Sequence, residues 1–144
     1  MATQNLTAGE TQNNHAGRRT AFVTEQTIDF TKTPGASGDV IQSLNVYPGW
    51  FVQAVLVQVL TAEGGTLTAN VGDGTLATGF MTGVNLNALG MTKSNLTLTE
   101  AAPNTVTGYT GGKLYTAADT IDLVLSAAAD GAKVRVAALV IDMS

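Results

Sequence analysis

Short runs of alternating apolar and polar residues fill most of the chain, and helical periodicity never persists. "AFVTEQTIDF" (21–30) sets Phe22, Ile28 and Phe30 on one parity against Glu25 and Asp29 on the other. "TPGASGD" (33–39) is a loop punctuated by Pro34, Gly35 and Gly38. "VIQSLNV" (40–46) then places Val40, Leu44 and Val46 on one side. "GGTLTANVGDG" (64–74) reads as a short strand between glycine turns, with a hairpin at 60–66 leading into it. "FMTGVNLNALGM" (80–91) and "LTLT" (96–99) are further strand candidates before a loop at Pro103. "KLYTAADTIDLVLSAA" (113–128) holds a strand with Ile121, Leu123 and Leu125 inward. The "DG" at 130–131 is the strongest hairpin signal and predicts pairing with "KVRVAALVID" (133–142), where Val134, Val136, Ala138 and Val140 face the core. About eight short strands and regular turns predict an all-β, single-domain antiparallel β-sandwich of jelly-roll type over 21–144.

One strand breaks the alternation. In "PGWFVQAVLVQVLT" (48–61) both parities are apolar, and Gln53 and Gln58 fall on opposite parities. A straight strand therefore buries one amide, and an unpaired buried amide costs about 1–3 kcal/mol. A β-bulge between 54 and 57 would slip the phase by one residue and send both glutamines outward. That outward face then carries Phe51, Val55 and Leu60, whose burial would contribute about 4–9 kcal/mol. The last strand repeats the pattern, because its second parity adds Ala137, Leu139 and Ile141 to Lys133 and Arg135. Either the chain's own 75–112 segment covers this surface or other subunits do.

Composition favours subunits. Charged residues are 12% of the 144, against 44% hydrophobic, and the mean hydropathy is +0.18. That is about half the usual charge for a soluble domain, too little ionic surface to hold a small monomer apart from its neighbours. Net charge is −4, and of seven basic residues only Arg18 and Arg19 are adjacent, so no nucleic-acid stripe exists. The apolar run at 50–60 is too short to span a bilayer. Residues 1–20 hold one large aliphatic side chain, Leu6, and lack a secretion-signal pattern. They read as a flexible polar arm that orders against a partner, within a protein made in the cytoplasm.

Candidate chemistry is sparse. His15 in the arm has no second ligand beside it, and the absence of cysteine removes thiol catalysis. "VGDGT" (71–75) lacks the lysine and helix of a phosphate loop and reads as a turn. Asp119 opens a strand and Asp122 points outward from it. Asp73, Asp119, Asp130 and Asp142 would bind calcium only if loops brought them together. The sequence predicts no enzyme and no cofactor.

The segments "TIDFTKTPGASGDVIQSLNVYPGWFVQAVLVQVLTAEGGTLTANVGDG", "FMTGVNLNA" and "LYTAADTIDLVLSAAADGAKVRVAALVIDMS" together resemble the β-sandwich decoration, or cement, proteins of tailed-bacteriophage heads. The resemblance spans about residues 21–142 and is one of overall texture, without a short diagnostic motif. It implies a homotrimer on the outer surface of the virion, clamping subunits of the major capsid protein. Phe51, Gln53, Val55, Gln58 and Leu60 are the candidates for the subunit seam; Leu6, Arg18 and Arg19 are those for the capsid contact. A tail or baseplate structural protein fits the same features. So does a glycan-binding adhesin, which would need Tyr47, Trp50, Tyr109 or Tyr115 exposed on a groove.

Overall fold

The computed structural model describes residues 21–94, 108–109 and 111–144. The arm with Leu6, His15, Arg18 and Arg19, the strand expected at 96–99 and the Pro103 loop lie outside the described residues. Among the described residues there are nine strands and no helix. They are β1 (Ala21–Asp29), β2 (Val40–Val46), β3 (Trp50–Thr61), β4 (Thr68–Gly72), β5 (Met81–Asn85), β6 (Gly90–Lys93), β7 (Lys113–Leu114), β8 (Asp119–Leu125) and β9 (Lys133–Asp142).

Two antiparallel sheets form. One runs β1-β9-β3-β6, with β7 also paired to β3; the other runs β2-β8-β4-β5. The pairs β1 with β9, β2 with β8, β3 with β6 and β4 with β5 are the rungs of one long ribbon. Its closed end is β4–β5, and folding it over itself sends β1, β2, β3 and β4 to alternate sheets, as it does β7, β8 and β9. This is the jelly roll that the texture of the sequence predicts.

The core lies between the sheets. Val52, Val55, Val57 and Val59 of β3 and Val134, Val136, Ala138 and Val140 of β9 face Ile121, Leu123 and Leu125 of β8 and Ala69 and Val71 of β4. Burial of a valine, leucine or isoleucine side chain contributes about 1.5–3 kcal/mol, so this layer supplies most of the drive to fold.

The ladder corrects several sequence expectations. Neither expected hairpin forms. After Thr61 the chain crosses from the first sheet to the second, and at Asp130–Gly131 it crosses back, so β8 and β9 never pair. Both crossings are tied together by one side chain. The Glu63 carboxylate accepts hydrogen bonds from the backbone N–H groups of Asp130 (2.8 Å), Gly131 (3.0 Å) and Ala132 (2.6 Å). Burial opposes the charge on Glu63, but these donors outweigh it and hold the carboxyl below its ordinary range. In β2 the register slips at Ser43, whose hydroxyl donates to the Ile121 carbonyl (2.7 Å). The slip turns Ile41 toward the core and leaves Val40 55% exposed.

The bulge in β3 is real but sits at Gln53, where the partner strand steps from Val140 to Leu139 while β3 advances from Val52 to Ala54. Gln53 is the extra residue, and it resolves the conflict between the two amides. Before it Val52 is inward; after it Val55, Val57 and Val59 are. Val55, expected on the outward face, is 0% exposed and belongs to the core.

Candidate functional site

The outer face of the five-stranded sheet is laid out in rows by the register. At one end, Ala21, Ile141, Phe51 and Leu114 stand side by side across β1, β9, β3 and β7. Next come Val23, Leu139 and Ala54, then Glu25, Ala137, Leu56 and Lys93. Beyond these lie Thr27, Arg135, Gln58 and Met91, and finally Asp29 and Lys133. The face is thus graded, apolar where β9 ends and polar where it begins. Val23 is 59% exposed, Leu114 51% and Met91 60%, while Phe51, Leu56, Leu139 and Ile141 are half-buried. Among the described residues this is the broadest run of apolar positions on the outside of either sheet that the ladder sets side by side.

Of the residues expected at a seam, the structure brings Phe51, Gln53 and Gln58 to this one face. Gln53 is exposed at the bulge, and Gln58 accepts a hydrogen bond from Arg135 Nη1 (3.3 Å). Leu60 is half-buried at a second register break, between Val59 and Thr61. Leu56, Leu139 and Leu114 join the face. Leu56 escaped the sequence reading because its orientation depends on where the bulge falls.

A second cluster lies where β7 meets the turn after β4. Asp73 is buried and accepts five hydrogen bonds. Oδ1 takes the Thr75 N–H (2.9 Å), the Leu76 N–H (2.9 Å) and the Tyr109 hydroxyl (2.9 Å). Oδ2 takes Lys113 Nζ (2.6 Å) and the Tyr115 hydroxyl (2.8 Å). Lys113 Nζ also lies 4.3 Å from the Tyr109 ring centroid and 4.5 Å from that of Tyr115. Gly112 allows this approach: it sits at φ +108°, and a Cβ there would meet the Val52 carbonyl oxygen at 2.5 Å.

The electrostatics of the cluster are those of a staple. Burial works against ionised Asp73, yet the Lys113, Leu76, Tyr115 and Tyr109 donors outweigh it and lower its pKa. Burial alone would lower Lys113, but its hydrogen bond to Asp73 prevails and raises it. Tyr109 and Tyr115 are both pushed up, first by burial and then by the Asp73 charge on their hydroxyls. A nucleophilic lysine or tyrosine needs the opposite shift. Asp73 has no spare lone pair for a substrate or an ion, so the cluster joins strands and offers no reactive group.

The remaining candidates separate. Asp122 has outward parity but is buried, with the Leu76–Ala77 backbone lying against Gly72, its partner across the ladder. It accepts a hydrogen bond from Thr120 Oγ1 (2.6 Å). Burial, joined by the charges of Asp119 and Asp73, raises its pKa despite that bond. Asp73, Asp119, Asp130 and Asp142 do not converge, and no group of three metal-binding side chains exists among the described residues. Trp50 is packed edge-on between Phe22 (5.0 Å) and Tyr47 (4.9 Å), and Tyr115 is buried with its hydroxyl on Asp73.

No protein-family model matches the sequence, and no curated protein matches it. Solved structures do match in fold. A chain of the capsid asymmetric unit of cyanophage Pam1 superposes with a TM-score of 0.64 at 19% identity, covering 97% of both chains. A chain of the acid-stable capsid of Helicobacter pylori bacteriophage KHP30 gives 0.59 at 16% identity, covering 86% of this chain and 89% of its own. A chain from the capsid of Ralstonia phage GP4 gives 0.56 at 14% identity, covering 92% and 90%. The protein is a jelly roll that shares its fold, over nearly its whole length, with chains found in three bacteriophage capsids.

Proposed function

We propose that the protein is a non-enzymatic structural component of a bacteriophage virion, a decoration protein that binds the outer surface of the major capsid protein shell as a homotrimer. The observation that carries this reading is the graded apolar face of the β1-β9-β3-β6 sheet, on a fold shared with chains of three phage capsids. Phe51, Leu56, Leu139 and Ile141 are half-buried on this face, and sister copies would cover what of them stays exposed. Gln53 and Gln58 on the same face would form the polar part of the seam. Many identical weak contacts then add through avidity on a shell, so each copy needs only modest affinity. The 1–20 arm, which leads into β1 at the apolar end of this face, is assigned to the capsid contact through Leu6, Arg18 and Arg19.

Co-sedimentation with shells built from the major capsid protein of the same phage tests the reading. Full-length protein should pellet with shells, and protein lacking residues 2–20 should stay folded but pellet poorly. Full-length protein that remains in the supernatant at every concentration would overturn the decoration role.

A further inference from the structure

Glu25 and Lys93 stand at opposite ends of one row on the outer face. The register runs Glu25 to Ala137 to Leu56 to Lys93, straight from β1 to β6, the two edge strands of this sheet among the described residues. The interstrand spacing puts the two charges about 14 Å apart, with an alanine and a leucine between them. They are too distant to pair within one molecule. Both are exposed, and among the described residues neither makes an ion pair or a hydrogen bond. Elsewhere on this face Asp29 accepts hydrogen bonds from Thr31, Arg135 donates to Gln58, and Lys133 stands opposite Asp29 in the last row. The sheet therefore ends in an unmatched carboxylate on one side and an unmatched ammonium on the other. Each has an exposed apolar neighbour on the same face, Val23 beside Glu25 and Met91 beside Lys93.

We propose that this row is a joint between copies of the chain, in which Glu25 of one copy meets Lys93 of the next while Val23 and Met91 pack around the pair. The joint rests on the self-association proposed above and specifies how it is made. One sheet edge is acidic and the other basic, so contact between like edges sets equal charges together and is repelled. Contact between unlike edges is head-to-tail, the kind of interface that closes into a ring when its rotation allows. Threefold closure leaves no Glu25 or Lys93 unmatched. A solitary molecule leaves both.

Sedimentation velocity on the full chain tests the joint with four proteins: wild type, Glu25→Lys, Lys93→Glu and the double reversal. Each single reversal should weaken association about tenfold, and the double should return it to near the wild-type level. High salt should shrink these differences. Far-ultraviolet circular dichroism of the four should coincide, because neither side chain makes an ion pair or hydrogen bond within its own chain among the described residues. A wild-type trimer that neither reversal weakens, or a double no better than the singles, overturns the joint and leaves the trimer standing. A wild type that sediments as a single chain overturns the self-association itself. A wild-type dimer rescued by the double reversal supports the Glu25–Lys93 pair and overturns threefold closure.

Discussion

Lys113 Nζ lies 2.6 Å from Asp73 Oδ2, and this pair fastens the short strand β7 to the turn that follows β4 in the opposite sheet. Removing the cation leaves a fully buried carboxylate without its counter-charge. Lys113→Met is expected to destabilise the fold by about 3 kcal/mol, as broken buried pairs do. Adding Asp73→Asn should restore part of the loss, because the amide keeps an acceptor for the Thr75 and Leu76 N–H groups. Chemical denaturation of the two variants measures both effects.

The same pair sets a pH window. The folded pKa of Asp73 lies below the ordinary 3.8, so its stabilisation is whole above that pH and is lost as pH falls through the lowered value. The folded pKa of Lys113 lies above 10.5, so its contribution is whole below that pH and fades as pH rises through the raised value. The pair's own contribution to the unfolding free energy should be flat between these limits. Lys113→Met should remove the lysine's part of the alkaline loss, leaving that of Tyr109 and Tyr115, and move the acid loss to higher pH.

Asp122 has the opposite sign. Its pKa is raised above 3.8, so the charged form costs stability at neutral pH and the cost disappears as pH falls through the raised value. Asp122→Asn keeps an acceptor for Thr120 and removes the charge. It should stabilise the protein by roughly 1 kcal/mol at pH 7, with the advantage shrinking in acid. Paired melting curves at neutral and acidic pH report the difference.

Glu63 clamps the two sheet crossings through three backbone donors. Glu63→Ala leaves those N–H groups without their acceptor and should cost about 2–3 kcal/mol. Glu63→Gln should cost less. Hydrogen exchange at the Gly131 and Ala132 amides should accelerate in Glu63→Ala before the β3 and β9 core amides do.

Core and seam separate on β3. Val55→Ala removes buried volume and should lower stability by about 2 kcal/mol without changing the assembly state. Phe51→Ser should change stability less and weaken self-association about tenfold or more. Denaturation and light scattering on both variants distinguish the two roles.

The inward positions of β8 and β9 were legible because strict alternation around Ile121, Leu123, Val134 and Val136 leaves only one face for the core. The connections were not. "DG" at 130–131 has the chemistry of a tight turn, yet in the folded-over ribbon the strands on either side of it, β8 and β9, lie in opposite sheets. The residue that fixes this crossing, Glu63, sits 67 positions from its first donor. The need for a bulge in β3 could be read from the opposed glutamines, but the extra residue proved to be Gln53 itself, which turned Val55 inward. The Asp73 staple was invisible for a similar reason: its tyrosine and lysine partners lie 36, 40 and 42 residues away. Pattern reading sees local period, and these contacts are set by topology.

The proposal as a whole depends on what covers the exterior of the β1-β9-β3-β6 sheet. A reconstruction of the phage particle at side-chain resolution decides it. The expected map has three copies around a threefold position on the shell, with Phe51, Leu56 and Ile141 enclosed between neighbours. A particle that carries the protein as isolated copies, with this face open to water, would contradict the proposal.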